Sequence, residues 1–196
     1  MAELPKASAR LSQIERGDLP ADQQHIFDEI AGSRGAVRGP FAMLLHSPEV
    51  AGRIAHTGAY IRFETTLPDD LRELAILTTA RFWDCQYEWT AHEPAARNAG
   101  LEEEIIELLR FGRPLADAGA LPGLGARERT IIRVARELIN EPKVSAETFV
   151  EAQTLFGNKG VMDLTGLVGY YTFVNYTLKT FDLQRTPGSQ LLLPLP

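Results

Sequence analysis

The amino-acid sequence predicts an all-α protein, on three observations. No segment alternates apolar and polar residues as a half-buried β-strand does. Several segments instead carry the proline, glycine and acidic residues that bound helices. The length of 196 residues favours one large domain over two, and the apolar fraction of 44% is ordinary for a chain with a substantial buried core. We therefore expect a multi-helix bundle.

The helix boundaries follow from residues with known positional preferences. Pro48 after Ser47 suits the first turn of a helix, and Asp69 and Asp70 suit the positive end of a helix dipole. Gly100 ends a helical segment, while Ser145 is a plausible N-cap for a later one. The predicted helices cover about 22–31, 48–65, 70–83, 85–99, 101–110, 125–140, 145–156 and 158–181.

Three segments organise the chain. Residues 1–40 are expected to form an N-terminal arm and a short helix, and residues 41–185 a helical domain with a loop rich in glycine and proline at 111–124. Residues 186–196 form an apolar C-terminal tail whose four leucines are too apolar to remain in water. We expect the tail to pack on the body of the protein or on a neighbouring subunit.

The segments 71–81 and 126–136 resemble each other at an offset of 55 residues. The matched pairs are Arg72 with Arg127, Glu73 with Glu128, Ile76 with Ile131, Ala80 with Ala135, and Arg81 with Arg136. The similarity indicates two related helical units about a pseudo-two-fold axis, or else a chance likeness of two amphipathic helices. The second segment and the helix after it lack Cys and His, so chemistry is expected in the first.

Charge and composition exclude several classes of function. The net charge of −6, without a basic block, argues against nucleic-acid binding. No apolar run approaches the roughly 18 residues of a membrane span, and the N-terminus lacks the apolar region of a secretory signal. Cys85 is the one cysteine, so no internal disulfide can form. We expect a cytoplasmic protein that binds neither nucleic acid nor membrane.

Candidate catalytic residues lie on two consecutive predicted helices. Glu73 has apolar neighbours three, four and seven residues later, so its carboxylate is expected to be buried at least in part. Cys85, Glu88 and His92 follow at i, i+3 and i+7 and form one stripe, which Ala95, Ala96 and Ala99 continue. A thiol at a helix N-terminus beside an imidazole and a carboxylate suits nucleophilic or acid–base chemistry. The alternative is a buried apolar cysteine beside a structural Glu–His pair.

Other residues indicate what such a site could bind. Tyr87 and Trp89 flank the stripe and either line a substrate pocket or pack in the core. The Glu-x-x-x-His spacing differs from the zinc pattern His-Glu-x-x-His, so we predict neither a metal nor another cofactor. An anionic substrate needs a basic partner, and the candidates are Arg62, Arg81, Arg133 and Arg136.

The stretch LRELAILTTARFWDCQYEWTAHEPAARNAGL, residues 71–101, resembles the core of the carboxymuconolactone decarboxylase/AhpD-like superfamily. The AhpD-like motif is Glu, eleven residues, Cys-x-x-Cys, three residues and His. Glu73, Cys85 and His92 match it, but Glu88 stands in place of the second cysteine. Glu88 and His92 match the Glu-x-x-x-His pair of the decarboxylase branch. The resemblance is strong over about 67–110, weaker over 125–183, and slight before residue 40.

The resemblance implies an AhpD-like bundle and three alternative functions. The first is cofactor-independent acid–base chemistry, decarboxylation or isomerisation, on a small organic acid or lactone, with Glu73, Glu88 and His92 moving protons and Cys85 a bystander or proton donor. The second is a hydroperoxidase of peroxiredoxin type that uses Cys85 with an external thiol, because no resolving cysteine is present. The third is a non-catalytic family member. The family also implies a homo-oligomer and a small-molecule substrate.

Overall fold

The structure is a computed structural model that describes residues 9–183 and 192–194. Every regular element in these residues is helical, which confirms the all-α prediction. Two short 3-10 helices, Arg16–Asp18 and Leu115–Ala118, accompany the α-helices. The α-helices are α1 (Gln24–Arg34), α2 (Pro40–Leu44), α3 (Pro48–Phe63), α4 (Asp69–Phe82), α5 (Gln86–Asn98), α6 (Glu103–Arg110), α7 (Ala126–Asn140) and α8 (Ala146–Phe181).

The observed helix boundaries lie close to the predicted ones. The short helix α2 was not predicted. It begins at Pro40, which occupies the first turn of the helix, a position that proline favours. The predicted break before residue 158 is present, because Gly157 has φ 67° and ψ 175° inside α8. Glycine adopts this left-handed conformation without the steric cost that a Cβ adds. Residues 1–8 of the predicted arm, and most of the tail at 186–196, lie outside the described residues.

The chain forms two compact units, and their described residues are 9–64 with 176–183, and 65–175 with 192–194. In the first unit, α1 packs against α3, and α2 also packs against α3. The Arg34 guanidinium lies 3.8 Å from the centre of the Phe41 ring, a favourable cation–π arrangement. The backbone N–H of Arg10 donates to the carbonyl of Phe181 at 2.7 Å, so the start of the described chain is bound to the end of α8.

The second unit is built around α4. This helix packs against α5, α6 and α7, and Leu71 and every residue from 73 to 80 are buried. A helix that is apolar over most of its circumference is stable only when other elements cover it on all sides. Because α4 and α7 contain the two similar segments, the predicted repeat corresponds to two helices in direct contact. Their pseudo-symmetry, and the predicted division at residues 40 and 185, stay predictions.

The helices of the described ranges are too short or too polar to cross a bilayer.

Candidate active site

The turn between α4 and α5 positions Cys85. Asp84 has φ 49°, a left-handed conformation that aspartate tolerates better than most residues, and it forms an ion pair with Arg81 one turn earlier. The backbone N–H of Cys85 then donates to the carbonyl of Ala80 at 2.9 Å. Cys85 is the N-cap of α5, and its carbonyl accepts from the N–H of Trp89 at 3.0 Å. The turn therefore fixes where α5 begins and which of its faces meets α4.

The packing of α5 on α4 brings Glu73, Glu88 and His92 together. His92 Nδ1 lies 2.8 Å from Glu73 Oε2, and His92 Nε2 lies 3.6 Å from Glu88 Oε2. The first distance is a hydrogen bond, whereas the second exceeds one. With Glu73 ionised, Nδ1 carries a proton and donates it, which fixes the ring orientation and leaves Nε2 as the acceptor in the neutral imidazole.

Burial confirms the predicted inward stripe of α5 at four of its six positions. The exposed fractions are 8% for Cys85, 5% for Glu88 and 7% for His92, and Ala96 is fully buried. Ala95 and Ala99 are only partly buried. Glu73, opposite the stripe on α4, is 7% exposed, as its apolar neighbours predicted. A thiol, two carboxylates and an imidazole therefore occupy the packed α4–α5 region, where interactions between charged groups are stronger than in water.

Tyr171 of α8 adds an aromatic wall that the sequence analysis did not place at the site. Its ring meets the His92 ring edge to face, with the ring centres 5.1 Å apart, and Tyr170 packs on Tyr171 at 5.2 Å. Tyr171 is buried. The available signal was the weaker family resemblance over residues 125–183, which includes the segment of Tyr171 but does not predict its contact with His92.

The predicted pocket residues Tyr87 and Trp89 have different environments. Trp89 is fully buried, and its indole N–H donates to the carboxylate of Glu93. Tyr87 is half-buried. A substrate-binding role for either residue stays a prediction.

Glu93 is a buried carboxylate of α5 that the sequence analysis missed. Arg97 donates to Glu93 Oε1 at 2.9 Å, and Arg110 of α6 donates to the same oxygen at 2.7 Å. Burial acts to raise the pKa of Glu93, but the hydrogen bonds from Arg97 and Trp89 and the Arg110 charge outweigh it, so the net pKa is lowered. The four-residue spacings from Trp89 to Glu93 and from Glu93 to Arg97 were the available signal.

The four candidate basic residues have other partners in the structure. Arg81 pairs with Asp84, and Arg133 pairs with Glu151 of α8. Arg136 donates to the carbonyl of Arg113 at 3.2 Å. In the first unit, the Arg62 guanidinium lies 5.2 Å from the centre of the Phe63 ring. The described residues contain no group of three or more His, Cys, Asp or Glu arranged to hold a metal ion.

The fold is that of known AhpD-like proteins. A crystal structure of an alkylhydroperoxidase AhpD core, an uncharacterised peroxidase-related protein from Ralstonia eutropha JMP134, has a TM-score of 0.70 and 16% identity, covering 91% of this chain and 93% of that one. An uncharacterised peroxidase-related protein from Silicibacter sp. TM1040 has a TM-score of 0.70 and 17% identity, covering 95% of this chain and 96% of that one. No match is found among curated proteins.

These likenesses define the class: an all-helical protein with the AhpD core fold. Residues 48–137 match the model of the carboxymuconolactone decarboxylase family, and this segment includes α4 and α5 with Glu73, Cys85, Glu88 and His92. The family resemblance predicted from the sequence is therefore confirmed over residues 48–137.

Proposed function

We propose that the protein is a cofactor-independent enzyme that moves protons through Glu73, His92 and Glu88, decarboxylating or isomerising a small organic acid or lactone. The observation that carries the proposal is the placement of one buried imidazole between two buried carboxylates, at 2.8 Å and 3.6 Å. Proton transfer needs a group that can both hold and release a proton within reach of the substrate. The His92 imidazole has this property, because Glu73 holds Nδ1 and Nε2 is left to accept or donate the proton.

In the decarboxylation, the bond between the carboxylate carbon and its neighbour breaks, and its electron pair enters the dienolate as carbon dioxide leaves. Protonated His92 or Glu88 then delivers its proton to carbon. Solvent water reprotonates that residue for the next turnover. Glu73 accepts the hydrogen bond from Nδ1–H and stabilises the imidazolium while His92 holds that proton. Tyr171 limits the positions that the ring can adopt, because the two rings are in direct contact.

A hydroperoxidase is the second candidate, and two observations favour it. Cys85 lies on the buried stripe with Glu88 and His92 at the N-terminus of α5, where the helix dipole favours a thiolate. Two proteins of the same fold are described as peroxidase-related. In this reaction the Cys85 thiolate attacks the peroxide, the O–O bond breaks, and an alcohol leaves as a sulfenic acid forms. Two equivalents of a small external thiol then reduce the sulfenic acid, yielding water and their own disulfide.

Cys85→Ser and His92→Asn separate the candidates. Wild type and both variants are assayed for carbon dioxide release from a panel of lactone acids and for peroxide consumption with dithiothreitol. We expect decarboxylation by wild type, retention of most of it in Cys85→Ser, and a loss of about 10²- to 10⁴-fold in His92→Asn. His25→Asn, which changes an exposed histidine of the first unit, is the matched control and should retain full activity.

The opposite pattern identifies the second candidate. Peroxide consumption that is lost in Cys85→Ser, by a wild type inert toward every lactone acid, would replace acid–base chemistry with redox chemistry. Wild-type rates equal to those of His92→Asn in both assays would reject both enzymes in favour of the non-catalytic alternative. The cytoplasmic location and the homo-oligomer stay predictions, which fractionation and light scattering would test.

A further inference from the structure

A cleft in the second unit, apart from the cluster of the candidate active site, has the composition of an anion-binding site. Its volume is about 360 Å³, and α4, the end of α6 and α7 form its walls. Arg81 and Arg136 line it together with Phe82, Leu109 and Asn140. The lining shares no residue with the cluster of Glu73, Cys85, Glu88 and His92. Anion binding in this cleft therefore does not depend on the proposed function.

The strongest evidence for an anion site is the environment of Arg136. The residue is partly buried, and its guanidinium donates to the carbonyl of Arg113 at 3.2 Å. Within residues 9–183 and 192–194, no carboxylate lies within ion-pair distance of it. Burial lowers the pKa of Arg136, and no neighbouring negative charge opposes that effect. A desolvated cation without a counter-ion is costly, and a bound anion would offset the cost.

Arg81 is held beside the same turn. Its Nε donates to the carbonyl of Arg110 at 2.8 Å, so residues 110–113 supply carbonyls to both guanidinium groups. Gly112 in this turn has φ 61°, and a Cβ there would lie 3.4 Å from Arg81 Nη2. That distance is an ordinary van der Waals contact, so the left-handed backbone, rather than a lack of space, favours glycine here. Asp84 pairs with Arg81 and offsets one of the two positive charges, which leaves the Arg136 charge uncompensated.

We propose that this cleft binds the oxyanion, carboxylate or phosphate, of a small organic molecule. The guanidinium fork of Arg136 matches both groups in geometry and charge. Asn140 lines the same cleft; its amide nitrogen donates to Glu141 Oε1 at 3.2 Å, and the second N–H of that amide is a further donor. Phe82 and Leu109 provide apolar surface for the rest of the ligand. The cleft volume suits a small molecule rather than a polymer.

Binding to the full-length protein tests the proposal. Sodium benzoate and sodium phosphate are titrated separately into ¹⁵N-labelled protein, with sodium chloride used to keep ionic strength constant. We expect saturable shifts of the Gly112 and Asn140 amide signals. Arg136→Gln should weaken binding at least tenfold, because a charged hydrogen-bond donor is lost. Tighter binding of benzoate would identify a carboxylate ligand, and tighter binding of phosphate a phosphate ester.

Two further variants keep the proposal falsifiable. Arg53→Gln removes the same charge from an exposed position of the first unit and should leave binding unchanged. Arg136→Lys keeps the charge but loses the planar fork, and should give intermediate affinity. Equal weakening in Arg53→Gln and Arg136→Gln would reduce the effect to net charge and overturn the proposal. Absence of saturable shifts with either probe in folded wild type would also overturn it.

Discussion

Helix α5 contains two buried glutamates, Glu88 and Glu93, in contrasting surroundings. Glu93 accepts hydrogen bonds from Arg97, Arg110 and the Trp89 indole, and its pKa is lowered. Glu88 faces His92, whose other nitrogen is bonded to Glu73. Permanently charged guanidinium groups hold Glu93 as a carboxylate, whereas an imidazole can exchange a proton near neutral pH. The comparison predicts that the partner of a buried carboxylate, rather than its burial alone, decides whether it can take part in proton transfer.

Replacing one carboxylate of each cluster by an amide, at Glu73 and at Glu93, should separate effects on activity from effects on stability. Glu73→Gln keeps an oxygen that accepts from His92 Nδ1–H but loses the charge that stabilises the imidazolium. We expect activity in the assay that wild type supports to fall about 100-fold. The free energy of unfolding should change by less than about 1 kcal/mol. Steady-state kinetics and urea denaturation measure the two effects.

Glu93→Gln is the other half of this exchange and should give the reverse pattern. It removes the buried carboxylate that Arg97 and Arg110 share, although each guanidinium keeps a more exposed partner, Glu103 or Glu107. We expect the free energy of unfolding to fall by about 2–3 kcal/mol with activity retained in the folded fraction. Glu107→Gln is the matched control, because Glu107 also pairs with Arg110 but is more exposed; it should cost less than about 1 kcal/mol. A large loss of activity in folded Glu93→Gln would contradict the division into two clusters.

The pH dependence of stability should also distinguish the clusters. A lowered pKa in the folded state means that the unfolded chain binds more protons, so Glu93 adds stability above its ordinary pKa of about 4.3. That stability disappears as the pH falls through the lowered folded value. The free energy of unfolding of Glu93→Gln should therefore vary less with pH below about 4.3 than that of wild type, as denaturation at a series of pH values would measure.

Glu137 of α7 provides an independent comparison. Burial acts to raise the pKa of Glu137, but hydrogen bonds from Thr148 and Ser145 outweigh it, and the pKa is lowered. Glu137→Gln should therefore flatten the acid dependence by the same mechanism. The effects should add in the double variant, because the two residues lie on different helices and the groups that lower their pKa values are different. An unchanged acid slope in Glu93→Gln would contradict a lowered pKa of Glu93, because burial would then fully offset its hydrogen bonds and ion pairs.

The fold and half of the candidate site could be predicted from local sequence. Helix boundaries depend on residues such as Pro48 and Gly157, whose backbone preferences are intrinsic. The inward positions of Glu73 and His92 followed from helical spacing and from the family motif. Tyr171 at His92, and Arg110 at Glu93, could not be predicted, because these contacts join helices that are distant in sequence. The anion cleft has the same origin: Arg81 and Arg136 were candidates singly, and packing placed them together.

The smallest expected effect concerns Gln86, the first residue of α5 and the one after Cys85. Its side-chain amide donates to the carbonyl of Leu193 at 2.8 Å, and its oxygen accepts from the N–H groups of Leu192 and Leu193 at 3.1 Å and 3.0 Å. The site end of α5 thus holds the described part of the C-terminal tail, in which Leu193 is buried, while the other end holds the Glu93 cluster.

Gln86→Ala should weaken this attachment without disturbing either buried cluster. A net hydrogen bond contributes about 1 kcal/mol, so we expect amide hydrogen exchange at Leu192 and Leu193 to accelerate by about 5-fold or more. Gln86→Glu keeps the acceptor oxygens but loses the donor, and should give a smaller acceleration. Exchange at Trp89 should not change in either variant. Unchanged exchange at Leu193 in Gln86→Ala would mean that burial of the leucine side chain, rather than the Gln86 bonds, holds the tail on α5.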